Sequence, residues 1–161
     1  MSSMKAHPLS RAKEAQVLAV KFGMDQWGFI RILRGSALGI WNKWTTAPVE
    51  IPANITERPE KWFCHYLSPK TDDTEMIELG VLPFDSDEQL WAPPCFYPPD
   101  VFQNHYRIYF RGLFREANMN DVVSILRCER LEPVQLVERL RSLYSDGLLV
   151  QAPAPPISPC R

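Results

Sequence analysis

The chain predicts an α+β fold: a small antiparallel sheet with an N-terminal helix and a C-terminal three-helix subdomain. Two observations lead there. Between residues 100 and 150, apolar side chains recur at three- and four-residue steps behind cap-forming residues, which is the helical period. Before them, short aromatic and β-branched runs are bounded by prolines and glycines, the punctuation of strands and hairpins. With 161 residues, 45% hydrophobic and 23% charged, the chain matches one soluble domain. The expected division is one domain over 1–151, with helix and sheet in 9–99 and a helical part in 100–151. A disordered proline-rich tail over 152–161 follows.

Ser10 is placed to cap a helix over residues 11–22, with Ala12, Ala15, Leu18, Ala19 and Phe22 at helical spacing and Gly23 just past its end. The run WGFIRIL from Trp27, then RGSALG and IWNKW, predicts a hairpin. Pro48, Pro52 and Pro59 each remove a ladder donor, so residues 47–60 read as an extended connector. KWFCHYL, from Lys61 to Leu67, reads as a strand, and TEMIELGVL as its antiparallel partner. A solvated acidic turn at 85–89 leads into LWAPPCFYPPD, whose four prolines suit a polyproline-like crossing.

Asp100 and Gln103 have the spacing of a capping box. Phe102, Tyr106, Phe110, Leu113, Phe114 and Ala117 then share a helical face, although Tyr106, Ile108 and Phe110 also alternate as a strand would. Asn120 caps a second expected helix that ends near Leu131, because Pro133 disfavours helical geometry at Glu132. The third begins with Pro133 in its first turn, carries Leu136, Val137, Leu140, Leu143 and Tyr144, and ends at Asp146 and Gly147. Three short helices followed by D-G-L-L-V resemble the core and first wing strand of a winged-helix module. That resemblance covers about fifty residues by pattern and order, and it implies nucleic-acid binding through the third helix or protein binding.

Charge weighs between those two. Residues 1–45 carry seven Lys/Arg against two Asp/Glu, residues 46–100 three against eleven, and residues 101–161 eight against six. The middle is acidic and no domain-wide basic footprint exists. Residues 119–150 hold four arginines against five acids, which disfavours a phosphate-binding third helix. The expected binding residues are Arg107, Arg111 and Arg115, four apart on the first helix, with Arg139 and Arg141 on the third. Trp41 and Trp44 are expected as exposed aromatic anchors. The three arginines repel one another, so an anionic group should face them: the acidic segment 72–88, a protein partner, or nucleic acid.

The remaining signals point away from catalysis. Cys64, Cys95, Cys128 and Cys160 lack the close pairing of zinc or redox sites, and free thiols are expected. Cys64 and His65 are adjacent on a strand and point to opposite faces, so no nucleophile and base pair is expected there. The acids of 72–88 lack a calcium-loop order, and no metal or cofactor is expected. No signal peptide or membrane span is read, which predicts a cytoplasmic or nuclear protein and discounts the glycosylation triplet at Asn54. Pro156, Pro159 and Arg161 fit a polyproline ligand pattern within the tail. The expectation is a non-enzymatic protein-interaction or regulatory protein, with nucleic-acid binding as the alternative.

Overall fold

The structure is a computed structural model, and it describes residues 13–48, 50–52, 55, 62–68 and 73–152. Its centre is a sheet rather than a helical scaffold. β1 (Gln16–Gly23), β2 (Gln26–Ile32) and β3 (Leu38–Thr45) form an antiparallel meander. Outside β1 lies β6 (Met76–Val81), antiparallel to it. The far side of β3 is shared: β4 (Trp62–Cys64) pairs with its first half and β12 (Val150–Gln151) runs parallel to its second.

The residues explain why these segments are strands. Along β1, Val17 and Ala19 point to one face while Leu18, Val20 and Phe22 point to the other, and all five are buried. A helix at the same positions would expose Val17 and Val20; a sheet covered on both sides buries every one. Similarly, β2 sends Trp27 and Phe29 to one face and Ile30 and Ile32 to the other.

One face is covered by the long helix α3 (Pro133–Ser145), which lays Leu136, Val137, Leu140 and Leu143 on the sheet. The helix starts as the sequence predicts. Gln135 accepts from the Glu132 backbone N–H at 2.8 Å, and Pro133 occupies the first turn. It ends in a Schellman closure: Leu148 N–H donates to the Leu143 carbonyl at 2.9 Å, and Gly147, at φ 72°, donates to that of Tyr144 at 3.0 Å. At Gly28 a Cβ would lie 2.8 Å from Leu140 Cδ2, so glycine lets helix and sheet approach this closely.

The opposite face holds Val17, Ala19, Trp27, Phe29 and Trp41 with Ile51, Ile55, Leu79 and Leu82 against them. Arg31 is also buried there. Its guanidinium stacks over Phe84 at 4.4 Å and Trp41 at 5.2 Å, and it donates to the Leu82 carbonyl at 3.1 Å. Paired and stacked, the charge is tolerated inside.

Beside this body stands a second sheet in the order β10-β7-β8-β9. It comprises β7 (Cys95–Tyr97), β8 (Tyr106–Phe110), β9 (Leu113–Ala117) and β10 (Leu126–Arg127). A third ladder pairs β5 (Tyr66–Leu67) in parallel with β11 (Arg130–Leu131). A 3-10 turn at Arg34–Ser36 between β2 and β3 and two single-turn helices, α1 (Asp87–Leu90) and α2 (Met119–Val122), complete the described elements.

Several expectations fall here. The N-terminal helix is absent among the described residues: 16–23 are β1, and its proposed cap at Ser10 lies outside them. The three-helix, winged-helix-like subdomain is absent too, since only its third member exists. In place of the first helix there is the β8–β9 hairpin, and in place of the second there are α2, β10 and β11. The cap read at Asp100 is nevertheless made. Its Oδ1 accepts from the N–H groups of Phe102 (2.8 Å) and Gln103 (2.7 Å), but the bonds close a turn, and the alternation of Tyr106, Ile108 and Phe110 then decides for strand. The cap read at Asn120 is not formed: Asn118 caps the single turn α2 in a capping box with Asp121, and Asn120 lies inside that turn. The hairpin read in 27–44 is present. The partnership read within 61–82 is not: β4 pairs with β3 and β6 with β1.

Candidate interaction surface

The second sheet carries the chemistry worth examining. Arg111 (φ 51°) and Gly112 (φ 83°) make the two-residue turn that joins β8 to β9, as a type I′ hairpin requires. Directly opposed residues share a face, so Leu126, Cys95, Tyr109 and Phe114 lie in one row and Tyr97, Arg107 and Glu116 in the next. The other face bears Arg127, Phe96, Ile108 and Arg115, with Val122 of α2 and Ile108 buried.

On the first face the rings form a continuous row. Tyr109 meets Phe114 at 5.0 Å between centroids, and Phe114 meets Tyr97 at 5.9 Å. The Arg107 guanidinium sits over Tyr97 at 5.2 Å and Phe114 at 5.8 Å. The Tyr109 hydroxyl and the Trp91 ring both lie beside Gly35, where a Cβ would meet them at 3.3 and 3.7 Å, and Arg34 stacks on Trp91 at 5.5 Å. Arg34 is held by Glu14 at 2.7 Å, and this bond keeps the Glu14 carboxyl below the usual carboxylate range. Arg107 reaches only as far as 4.0 Å from Asp100, and its Nε is buried without a hydrogen-bond partner among the described residues. Two backbone N–H groups, from Gln103 and Phe102, hold the Asp100 carboxyl below its ordinary value.

The surface is also unusually apolar. Phe102 is 88% exposed, Leu113 76%, Leu126 57% and Phe114 56%, and Val101 and Val123 stand open nearby. No comparable group of open rings lies on the described part of the large sheet, whose aromatics Phe22, Phe29 and Trp41 are buried.

The predicted site residues separate. Arg107 belongs to the ring row, Arg111 to the hairpin tip over Phe110 at 4.9 Å, and Arg115 to the opposite face. They are no single stripe, because the turn at Arg111 and Gly112 puts Arg107 on β8 and Arg115 on β9, where the register opposes Arg115 to Ile108, on the face away from Arg107. Arg139 is paired with Glu129, and Arg141 donates to the Phe22 carbonyl at 2.8 Å, so both are engaged against the body. Trp41 is buried rather than an open anchor; Trp44 is half-buried, edge-on to Tyr144 at 5.2 Å. The tail pattern at Pro156 and Pro159 lies outside the described residues. Sequence reasoning missed Tyr97, Tyr109 and Trp91; period-two alternation in YRIYF was an available signal for Tyr109 alone.

Cysteine chemistry also differs from expectation. Cys95 and Cys128 form a disulfide, correcting their reading as free thiols. They are 33 residues apart, but parallel pairing of β10 with β7 carries the chain to a Cα–Cα distance of 4.8 Å. Cys64 is free and buried, donates to the Tyr66 carbonyl at 3.1 Å, and burial pushes its thiol up to about 11. It is a poor nucleophile at neutral pH. His65 is also buried. Its Nε2 lies 3.2 Å from the Pro93 carbonyl, Nδ1 has no hydrogen-bond partner among the described residues, and burial lowers its proton affinity. Cys160 lies outside the described residues.

A shallow groove of about 760 Å³ beside the start of α3 is lined by Lys21, Glu75, Val137 and Arg141. Its charges are largely spent internally: Lys21 pairs with Glu75 at 3.7 Å and Arg141 with the Phe22 carbonyl. Among the described residues no group of three or more His, Cys, Asp or Glu could hold a metal ion, and no helix is long and apolar enough to cross a membrane. Comparison with protein-family models, curated proteins and solved structures finds no match.

Proposed function

We propose that the protein is a non-enzymatic interaction protein that binds a protein partner on the second sheet. The observation that carries this reading is the ring row of Tyr109, Phe114 and Tyr97 with Arg107 laid across it, half-buried except for the exposed Phe114, with exposed Leu126 on the same face. Aromatic and arginine side chains on a rigid frame lose little entropy on binding and dominate the energetics of protein interfaces. Holding Phe114 and Leu113 open to water is unfavourable, and a partner would relieve it.

The test is photo-crosslinking from a benzoylphenylalanine placed at Leu126, which shares the ring-row face, in cells of the native source. A discrete protein adduct that disappears when Arg107 and Phe114 are both replaced by alanine is expected. Adducts that are nuclease-sensitive, or that ignore those two changes, would overturn the reading.

A further inference from the structure

We infer that the outer edge of β9 accepts an extended segment of the partner as an additional antiparallel or parallel strand, with an acidic side chain of that segment against Arg115. This rests on the reading of the second sheet as an interaction surface and specifies how it is used.

The argument starts from the ladder. A two-residue turn makes Phe110 and Leu113 a hydrogen-bonded pair, so the bonds to β8 are made by Leu113, Arg115 and Ala117. By alternation, Phe114 and Glu116 turn their N–H and C=O groups outward. β9 ends the sheet, and among the described residues no backbone group is bonded to those four. Folded proteins blunt such edges with short strands, charged side chains, proline, a bulge or a covering segment, and β9 carries the charges Arg115 and Glu116. β9 has an unbroken five-residue register, no proline, and four of its five residues exposed.

Its side chains define the guest. On the ring-row face, a strand beside β9 would set one side chain against Phe114, which calls for an apolar residue. On the other face its neighbour is Arg115, exposed and without a carboxylate partner among the described residues, with Arg127 in the same cross-strand row and Arg111 at the tip. An acidic residue fits there. A second copy of this chain fits worse: the register that opposes both outward pairs, Phe114 to Glu116 and Glu116 to Phe114, also sets Arg115 against Arg115 at the close, non-hydrogen-bonded spacing. The guest is therefore a foreign strand that alternates apolar and acidic residues, bound by β-augmentation.

The probe is a short capped peptide of alternating valine and aspartate, titrated into the full ¹⁵N-labelled chain. The Phe114 and Glu116 amides should shift downfield and gain protection from exchange, and lysine in place of aspartate should weaken binding on the order of tenfold or more. Glu116→Pro removes an outward N–H while leaving the β8 ladder and the rings in place, and should abolish binding. Binding that survives Glu116→Pro, or that moves ring signals of Tyr97 and Phe114 without protecting those amides, would overturn edge addition yet leave the interaction surface standing. No binding of the acidic peptide, or equal binding of the lysine peptide, would also overturn it. Should Glu116→Pro fail to fold, amide protection in the unaltered chain decides alone.

Discussion

The two larger sheets solve opposite problems with similar residues. The large one is covered on both faces, by α3 on one side and by Ile51, Ile55, Leu82 and Phe84 on the other, and its aromatic side chains are spent on cohesion. The small one buries Ile108 under Val122 but leaves Phe114, Leu113 and Leu126 in water and the outer edge of β9 without a strand partner among the described residues. Apolar content therefore does not locate a core. Coverage does, and where coverage stops the same rings become a surface for binding.

The sharpest way to break this contrast is at the large sheet. Leu140 is fully buried against Gly28, and Leu140→Ala should cost about 2–5 kcal/mol of stability. Urea unfolding would measure it, and the loss should be cooperative across β1, β2 and β3. The disulfide comes next. Cys128→Ser releases a closure spanning 33 residues, which chain-entropy reasoning values at about 3–4 kcal/mol, less where the reduced chain retains structure. Hydrogen exchange should rise in 95–128 while β1 and β2 stay protected.

A smaller effect follows from His65. Burial disfavours its charged form, so the folded state binds a proton less readily than the unfolded chain, whose His titrates near 6.5. Its stabilising contribution is complete above that value and is lost as pH falls from 6.5 toward the lower folded value. A His65→Gln variant should show a flatter stability profile across that window. The smallest expected change is at the open sheet: Phe114→Ser should alter stability by no more than about 0.5 kcal/mol while removing partner adducts. A large loss of stability there would mean that the ring row is structural.

Much of the chain's local grammar is legible. The capped α3 with its Gly147 end and the hairpin of β2 and β3 follow from residue types at short range, whereas Asp100, read as a helix cap, closes a turn before a strand. The ring row was only partly so. Arg107 could be named, but its neighbours could not, because Tyr97 and Phe114 come from different strands and meet only once β7, β8 and β9 are in register. The Cys95–Cys128 pair was hidden for the same reason.

What the sequence determined by itself was therefore what nearest neighbours decide: caps, turns, and the apolar stripe of a helix that packs by one face. Tertiary structure decided the rest. In Gln16–Gly23 and in 100–117, helical and strand periods both fit the apolar residues, and intrinsic propensities differ by less than the free energy of burying a whole strand. Only the presence of β2 and β6 beside β1, and of β7 beside β8, supplies that burial and its hydrogen bonds, and no window of the chain contains them.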